Sequence, residues 1–125
     1  MSRQSINIPG LSHLTGIPVA SRIGPLLVSS IITPFRPGTR TASGDPLEQF
    51  AQIFEHMKSM LDAAGATWDD VAKINFWVSD LAHRQLVEPL WIKLFPDPNS
   101  RPARHTQLAT DAQFITGDFL AYITQ

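Results

Sequence analysis

Cysteine is absent from this chain of 125 residues. Its absence excludes thiol nucleophiles, thiolate metal ligands and disulfides, and it suits a reducing compartment, so we expect the cytoplasm. An excess of positive charge is also missing, because ten Lys and Arg face eleven Asp and Glu, for a formal net charge of −1. Phosphate neutralisation dominates nucleic-acid affinity, and we therefore expect no nucleic-acid partner.

Long hydrophobic runs and the common catalytic motifs are missing too. No apolar stretch approaches the roughly 20 residues of a membrane-spanning helix, and no positively charged segment followed by an apolar run opens the chain. We therefore expect a soluble, unprocessed protein without a membrane partner. The patterns GxGxxG and GxSxG do not occur, which argues against phosphate loops and serine hydrolases. The four histidines lack metal-binding spacing; we expect no metal and place His56, near Glu55 and Lys58, on a solvated helix face.

The strongest element that is present is a helix over residues 45–65. Asp45 is the expected N-cap, Pro46 occupies the first turn, and Glu48 completes a capping box. Apolar residues recur at three- and four-residue intervals, and Gly65 is expected to end the helix.

Strand patterns occupy much of the rest. Residues 17–32 hold two β-rich runs split by a Gly-Pro pair, which predicts a hairpin. Residues 70–80 alternate as a strand with one buried face. Residues 103–112 and 113–123 predict two further strands, which we expect to pair with each other.

The remaining segments complete one α+β domain over residues 1–125. Residues 33–44 predict a loop, and 81–95 a second helix that Pro89 either kinks or starts again. This order predicts a mixed sheet with both helices on one face. The other face carries Trp77 and has no helix to cover it, so we expect another subunit to bury it.

Arg104 is the first candidate for the functional site. Pro102 favours extended backbone at Arg101 and fixes its own φ, so Arg104 follows a stiffened entrance to the strand. Its planar guanidinium suits bidentate binding of a carboxylate. The alternative is that Arg101 and Arg104 are surface residues or pair with Asp97 or Asp111. Spacing alone favours that alternative.

Three polar residues interrupt apolar strand patterns. Asp118 lies in the run 115–123, where an unpaired carboxylate is costly, although it could instead sit in a turn after Gly117. Ser29 and Ser30 interrupt residues 26–32; they are either ordinary strand serines or polar groups of a pocket.

Three motifs together resemble the Rid proteins, the reactive intermediate deaminases also called YjgF-like or L-PSP endoribonuclease-like. They are LLVSSII, then QFAQIFEHMKSMLDAAGATWDDVAKINFWVSDL, then FPDPNSRPARHT, and the resemblance runs from about residue 17 onward. The RPARHT wording is most similar to the aminomuconate deaminase branch.

The resemblance implies a chorismate-mutase-like fold with a six-stranded mixed sheet and two helices on one face. It also implies a homotrimer whose sheets face one another like a barrel, with ligand clefts between subunits. The implied reaction is hydrolysis of a small carboxylate-bearing enamine or imine with release of ammonia, without metal or cofactor. Arg104 would bind the substrate carboxylate, Thr106 would contact substrate through its backbone, and Asp118 is the nearest carboxylate to the family's water-positioning glutamate.

Several positions depart from the family pattern. Ser30 replaces a usual glycine, Ile17 a common tyrosine, and Glu88 a common asparagine; Glu88 could repel an anionic substrate or act as an acid-base group. Ile17, Ser29, Ser30 and His105 join the predicted substrate-binding group. These departures leave open a trimer that binds small carboxylates without turnover. An RNA-cleaving activity is a third reading, which the near-neutral charge disfavours.

Overall fold

The computed structural model describes residues 2–13 and 15–124. Within them the chain forms six strands and two α-helices. The strands are β1 (Arg3–Ile6), β2 (Ala20–Ile23), β3 (Leu26–Ser29), β4 (Val71–Val78), β5 (Ala103–Leu108) and β6 (Thr116–Tyr122); the helices are α1 (Pro46–Ala64) and α2 (Glu88–Leu94). Short 3-10 turns at Trp68–Asp70 and Leu81–Val87 precede β4 and α2.

All six strands form one mixed sheet in the order β1-β2-β3-β6-β4-β5. Only β4 and β5 are parallel; the other neighbours are antiparallel. The predicted hairpin of β2 and β3 is therefore confirmed. The predicted pairing of the last two strands is wrong, because β4 lies between β5 and β6 and bonds to both.

The edge strand β1 has no counterpart in the predicted elements. Three of its four residues are exposed, so the RQSI segment lacks the apolar alternation that marks a half-buried strand. It is held by antiparallel pairing with β2, a contact that a local pattern does not contain.

Helix α1 begins and ends where its sequence predicts. The Asp45 carboxylate accepts the Leu47 N–H at 3.0 Å, and Gly65 adopts the left-handed conformation at φ 75°. The expected capping box does not close, because Glu48 accepts a hydrogen bond from the Ser43 hydroxyl and the Asp45 N–H donates to Ser43 as well. None of the described helices is long and apolar enough to cross a membrane.

The core lies between α1 and one face of the sheet. Phe50, Ile53 and Met57 of α1 are fully buried, as are Ile74 and Phe76 of β4. This contact leaves no room at the start of β6: a methyl group on Gly117 would approach the Asn75 carbonyl oxygen to 3.0 Å and the Phe76 ring to 3.2 Å. The glycine therefore permits the close approach of strands and helix.

The segment 81–95 divides at its proline. A 3-10 turn covers Leu81–Val87 and α2 starts afresh at Glu88, with Pro89 in its first turn, so the second-start alternative is confirmed. Trp91 and Phe95 are buried and pack edge to face, with ring centres 4.8 Å apart.

No element of the described chain covers the second sheet face. The register places Leu26 opposite Tyr122 and Val28 opposite Leu120, so their side chains form a continuous apolar strip. Leu26, Leu120 and Tyr122 remain 39, 42 and 56% exposed. Trp77 is half-buried on the same face.

Candidate functional site

Arg104 lies in β5 at the edge of the helix-covered face. Its strand register pairs it with buried Ile74, which directs its side chain toward α2. The guanidinium carbon lies 4.7 Å from the centre of the Trp91 ring, and Nη2 donates to the Glu88 carboxylate. The alternative ion pairs with Asp97 or Asp111 do not form among the described residues, since Glu88 is the partner.

The Arg104 guanidinium is only partly satisfied by these contacts. Its side chain is 24% exposed, yet Nη1 is buried and has no hydrogen-bond partner among the described residues. A buried donor without a partner costs about 1–3 kcal/mol, so a side-chain movement that brings an acceptor to Nη1 would be favoured. The group formed by Glu88, Trp91 and Arg104 is called the Arg104 site below.

The base of the Arg104 site is anchored by the preceding arginine. Arg101 Nε donates to the Phe95 carbonyl oxygen at 2.8 Å, which ties the start of β5 to the end of α2. Pro102 lies between the two arginines and limits the backbone further. This local geometry restricts how far the Arg104 side chain can move from α2.

Asp118 lies within β6, so the turn alternative is wrong. The Asn75 side-chain amide donates to Asp118 Oδ1 at 2.8 Å. Asn75 pairs with Asp118 on one side and His105 on the other, and all three belong to the uncovered face. Asp118 and Arg104 therefore occupy opposite faces of the sheet within one chain.

The predicted serines have structural partners. Ser29 Oγ accepts the Phe119 N–H at 2.9 Å, and Ser30 Oγ donates to the Pro18 carbonyl oxygen at 2.8 Å. These bonds join the end of β3 to β6 and to the segment before β2. Ile17 is 51% exposed beside that segment.

The structure brings Glu88 and Arg104 together but keeps the other predicted residues apart from them. Thr106 shares the sheet face of Arg104, because it pairs with Phe76, whereas Asp118 and His105 do not. Sequence reasoning missed Trp91, the aromatic platform of the site. The signal was present, since Trp91 follows Glu88 by three residues, the spacing that places two side chains on one helical face.

His56 is buried, so its assignment to a solvated face is wrong. It follows Ile53 by three residues and precedes Met60 by four, which places it on the apolar stripe of α1. Its Nε2 contacts the Phe35 carbonyl oxygen at 2.6 Å. Burial lowers the pKa of His56, although the bond to Phe35 and the nearby Glu55 oppose that shift.

Asp70 ties two chain segments together. Its carboxylate accepts the Thr67 N–H at 2.9 Å and the Thr124 hydroxyl at 2.8 Å. The hydrogen bond from the Thr67 N–H is the main cause that lowers the pKa of Asp70. Burial raises this pKa by less than that bond lowers it, and the bonds from Thr124 lower it further. Asp70 thereby connects the end of β6 to the turn before β4.

A cavity of about 550 Å³ lies away from the Arg104 site, between α1, the loop 33–44 and residues 10–13 and 15. None of the predicted site residues lines it. The Arg104 site is the better candidate for the predicted chemistry, because it brings together the predicted residues Arg104 and Glu88. Among residues 2–13 and 15–124, no three His, Asp or Glu side chains come together as metal ligands.

Solved structures share the fold over nearly the whole chain. RidA from the Antarctic bacterium Psychrobacter sp. is 22% identical, with a TM-score of 0.86 and coverage of 96% of this chain and 99% of that one. The YjgF gene product from E. coli is 21% identical, with a TM-score of 0.83 and coverage of 95 and 98%. At these identities the likeness establishes the fold.

Curated relatives match parts of the sequence. Reactive Intermediate Deaminase A, chloroplastic, from Arabidopsis thaliana is 36% identical over 59 residues, which are 47% of this chain and 30% of the relative. A RutC family protein from Pyrococcus abyssi is 29% identical over 86 residues, 68% of this chain and 66% of the relative. The matches thus cover less than two thirds of these relatives.

The family assignment rests on a longer match. The sequence model described as Endoribonuclease L-PSP matches residues 18–114, which include the hairpin of β2 and β3, α1, β4, α2 and β5. This chain therefore belongs to the Endoribonuclease L-PSP family, the Rid group that its motifs resemble.

Proposed function

We propose that this protein hydrolyses small enamines or imines that carry a carboxylate, such as 2-aminoacrylate or 2-aminomuconate. Water adds to the imine carbon, the carbon–nitrogen bond breaks, and the products are ammonia and a keto or enol acid. The observation that carries the proposal is the Arg104 guanidinium, held by Trp91 and Glu88 with Nη1 unpartnered. The name of the Arabidopsis relative, a reactive intermediate deaminase, supports the same reaction class.

Arg104 would act by orienting the substrate. A guanidinium stays charged at any relevant pH and presents donors in a fixed plane, so a carboxylate bound to Nη1 would have a defined direction. Holding the imine carbon where water can reach it lowers the entropic part of the barrier. This role requires neither a metal nor a cofactor.

The site would be completed by a second copy of the chain. Leu26, Leu120 and Tyr122 give the uncovered sheet face an exposed apolar strip, which a homotrimer with facing sheets would bury. Because Asp118 and Arg104 lie on opposite faces of one sheet, a cleft between subunits is also the arrangement that could bring an Asp118 near a neighbour's Arg104.

Two carboxylates are candidates for positioning the attacking water. Glu88 already contacts Arg104, and it is about half exposed, at 49%. Asp118 accepts a hydrogen bond from Asn75 and would act from the neighbouring subunit. We assign the acid-base role to Asp118, because Glu88 paired with the cation that binds substrate is poorly placed to accept a proton.

Glu88 would also weaken the attraction between Arg104 and an anionic substrate. Its carboxylate neutralises part of the charge that the substrate carboxylate needs. The RPARHT motif favours 2-aminomuconate among the possible substrates, and the absence of cysteine fits action in the cytoplasm.

The proposal is tested by ammonia release from 2-aminomuconate and from 2-aminoacrylate generated in the assay. Arg104→Ala should lower kcat/KM by about 10²-fold or more, because orientation is lost. Arg84→Ala, at an exposed arginine of the turn before α2, is the matched control and should retain activity. Wild-type protein that releases no ammonia above the uncatalysed rate, or an Arg104→Ala variant with unchanged kinetics, would contradict the proposal.

The catalytic carboxylate is tested separately. Asp118→Asn keeps an acceptor for the Asn75 amide but removes the base, so kcat should fall by about 10²-fold with KM little changed. An unchanged kcat would transfer the role to Glu88.

A second candidate is a carboxylate-binding trimer without turnover. It is favoured by the separation of Asp118 from Arg104 within one chain and by the occupation of Arg104 Nη2 by Glu88. Saturable binding of 2-ketobutyrate without hydrolysis of either imine would support this candidate against the deaminase.

A further inference from the structure

We propose that the cavity between α1, the loop 33–44 and residues 10–13 and 15 is a second ligand site. Its ligand would be a small monocarboxylate with an apolar ring or branched body and a hydrogen-bond donor. The site is separate from the Arg104 site, since Glu88, Arg104 and Asp118 do not line it, so this inference does not rest on the deaminase proposal.

The size and lining of the cavity suit a small organic molecule. Its volume of about 550 Å³ lies within the range of roughly 300–1,000 Å³ typical of such pockets. Apolar side chains form much of its wall: Leu11, Val19, Ile31, Ile32, Phe35 and Met60. An apolar ligand body would be buried against them.

The titratable side chains at the cavity are all of basic residues. His13, Arg40 and His56 line it, and no Asp or Glu of the described residues does. Arg40 has no carboxylate partner within the described residues, and its guanidinium carbon lies 5.7 Å from the centre of the Phe35 ring. An anionic ligand therefore meets an unpaired cation that an aromatic ring already holds at the wall.

His56 supplies a hydrogen-bond acceptor to the same space. It is only 4% exposed, and a carbonyl can only accept, so the contact of Nε2 with the Phe35 oxygen places the ring proton on Nε2. Burial lowers the His56 pKa, which favours the neutral ring with a lone pair on Nδ1. His56 Nδ1 has no hydrogen-bond partner among the described residues. The side-chain atoms of those residues that are both unpartnered and fully buried are His83 Nδ1 and Arg104 Nη1, so His56 Nδ1 keeps some accessible surface.

Two glycines hold the rim of the cavity in place. The Gly38 N–H donates to the Gly10 carbonyl oxygen at 2.9 Å, which joins the N-terminal segment to the loop 33–44. Gly10 has φ 85°, and an added methyl group there would lie 3.2 Å from the Gly38 nitrogen. The rim is therefore built by direct backbone contact.

Binding is tested with the Arg104→Ala variant, so that the Arg104 guanidinium cannot bind the probe. The probes are benzoate, its neutral analogue benzamide, and 3- and 4-hydroxybenzoate, titrated by calorimetry and by amide chemical shifts. We expect benzoate to bind saturably and at least tenfold more tightly than benzamide, and one hydroxybenzoate to bind more tightly than benzoate. The proposal would be overturned if benzoate showed no saturable binding with a Kd below about 1 mM, or if benzamide bound as tightly as benzoate.

Variants locate the ligand. Arg40→Gln should weaken benzoate binding by about tenfold, which corresponds to about 1.4 kcal/mol, while Arg36→Gln, at an exposed arginine of the same loop outside the cavity lining, should not. His56→Gln retains a donor toward Phe35 but replaces the ring Nδ1 by an amide oxygen, which is attached to the same carbon as that donor and so does not occupy the place of Nδ1. The variant should abolish the gain from the hydroxyl group and leave benzoate affinity within about twofold. The proposed site would be overturned if both arginine variants weakened benzoate binding equally. It would also be overturned if the hydroxybenzoate still bound more tightly than benzoate in the His56→Gln variant.

Discussion

The Glu88 carboxylate accepts a hydrogen bond from Nη2 of Arg104, while Nη1 of the same guanidinium is buried without a partner among the described residues. The candidate anchor for a substrate carboxylate is thus half occupied by a carboxylate of the protein itself. Because Nη1 is buried, a substrate oxygen reaches it only when Glu88 or the Arg104 side chain moves, and a bidentate contact with both nitrogens requires Glu88 to leave Nη2.

Removal of the Glu88 charge should strengthen carboxylate binding. We expect Glu88→Gln to bind 2-ketobutyrate about three- to tenfold more tightly by calorimetry, a modest gain because the pair is partly exposed. Glu55→Gln, at an exposed glutamate of α1, is the control and should leave the affinity unchanged. Weaker binding by Glu88→Gln would mean that Glu88 positions Arg104 rather than competing for it.

A charge on the uncovered sheet face should prevent assembly. Leu120→Asp places a carboxylate opposite Val28 in the apolar strip, so burial against another copy becomes costly. We expect a monomer by light scattering, with deaminase activity lost along with the intersubunit cleft. Leu47→Asp, at an exposed leucine of α1, should leave the assembly of the wild type intact. A wild-type protein that is itself monomeric would contradict the trimer.

The packing at Gly117 should not tolerate a methyl group. Gly117→Ala forces a contact at 3.0 Å with the Asn75 carbonyl oxygen, and overpacking of this kind costs about 1–3 kcal/mol in the free energy of unfolding. Gly44→Ala is the matched control, because nothing lies within 4 Å of the added atom. Denaturant unfolding of both variants measures the difference; equal stabilities would refute the tight approach of β6.

Asp70 should contribute stability that depends on pH. Its pKa is lowered in the folded protein, so its contribution is present above the usual carboxyl pKa of about 4 and is lost as the pH falls through the folded value. Asp70→Asn should lower the free energy of unfolding by about 1 kcal/mol at pH 7, and the difference from wild type should shrink below about pH 4. Asp69→Asn, at the exposed neighbour, is the matched control. A difference that is constant with pH would assign the effect to packing.

Elements whose signals are local could be predicted from the sequence. Helix α1 has its cap at Asp45, its apolar stripe and its terminal Gly65 within one continuous segment. Because these signals are all local, they predict both ends of the helix. The 3.6-residue period of that stripe also includes His56, which was missed because its polarity suggested solvent. The position of His56 on the helix, and not its polarity, decides its burial.

Elements that depend on distant contacts could not be predicted in the same way. Strand β1 has no apolar alternation and forms by pairing with β2. The insertion of β4 between β5 and β6 is a property of the whole sheet, and it decides that Asp118 and Arg104 point to opposite faces. Likewise Glu88 and Arg104 are 16 residues apart, and no local pattern marks them as partners.

The most direct test of the account is a crystal structure with 2-ketobutyrate, a stable carboxylate analogue of the product. We predict a carboxylate oxygen within about 3.2 Å of Arg104 Nη1, in a cleft that a second copy of the chain helps to form. A ligand bound elsewhere, with Arg104 still paired only to Glu88, would contradict the role of Arg104 on which the proposed function depends.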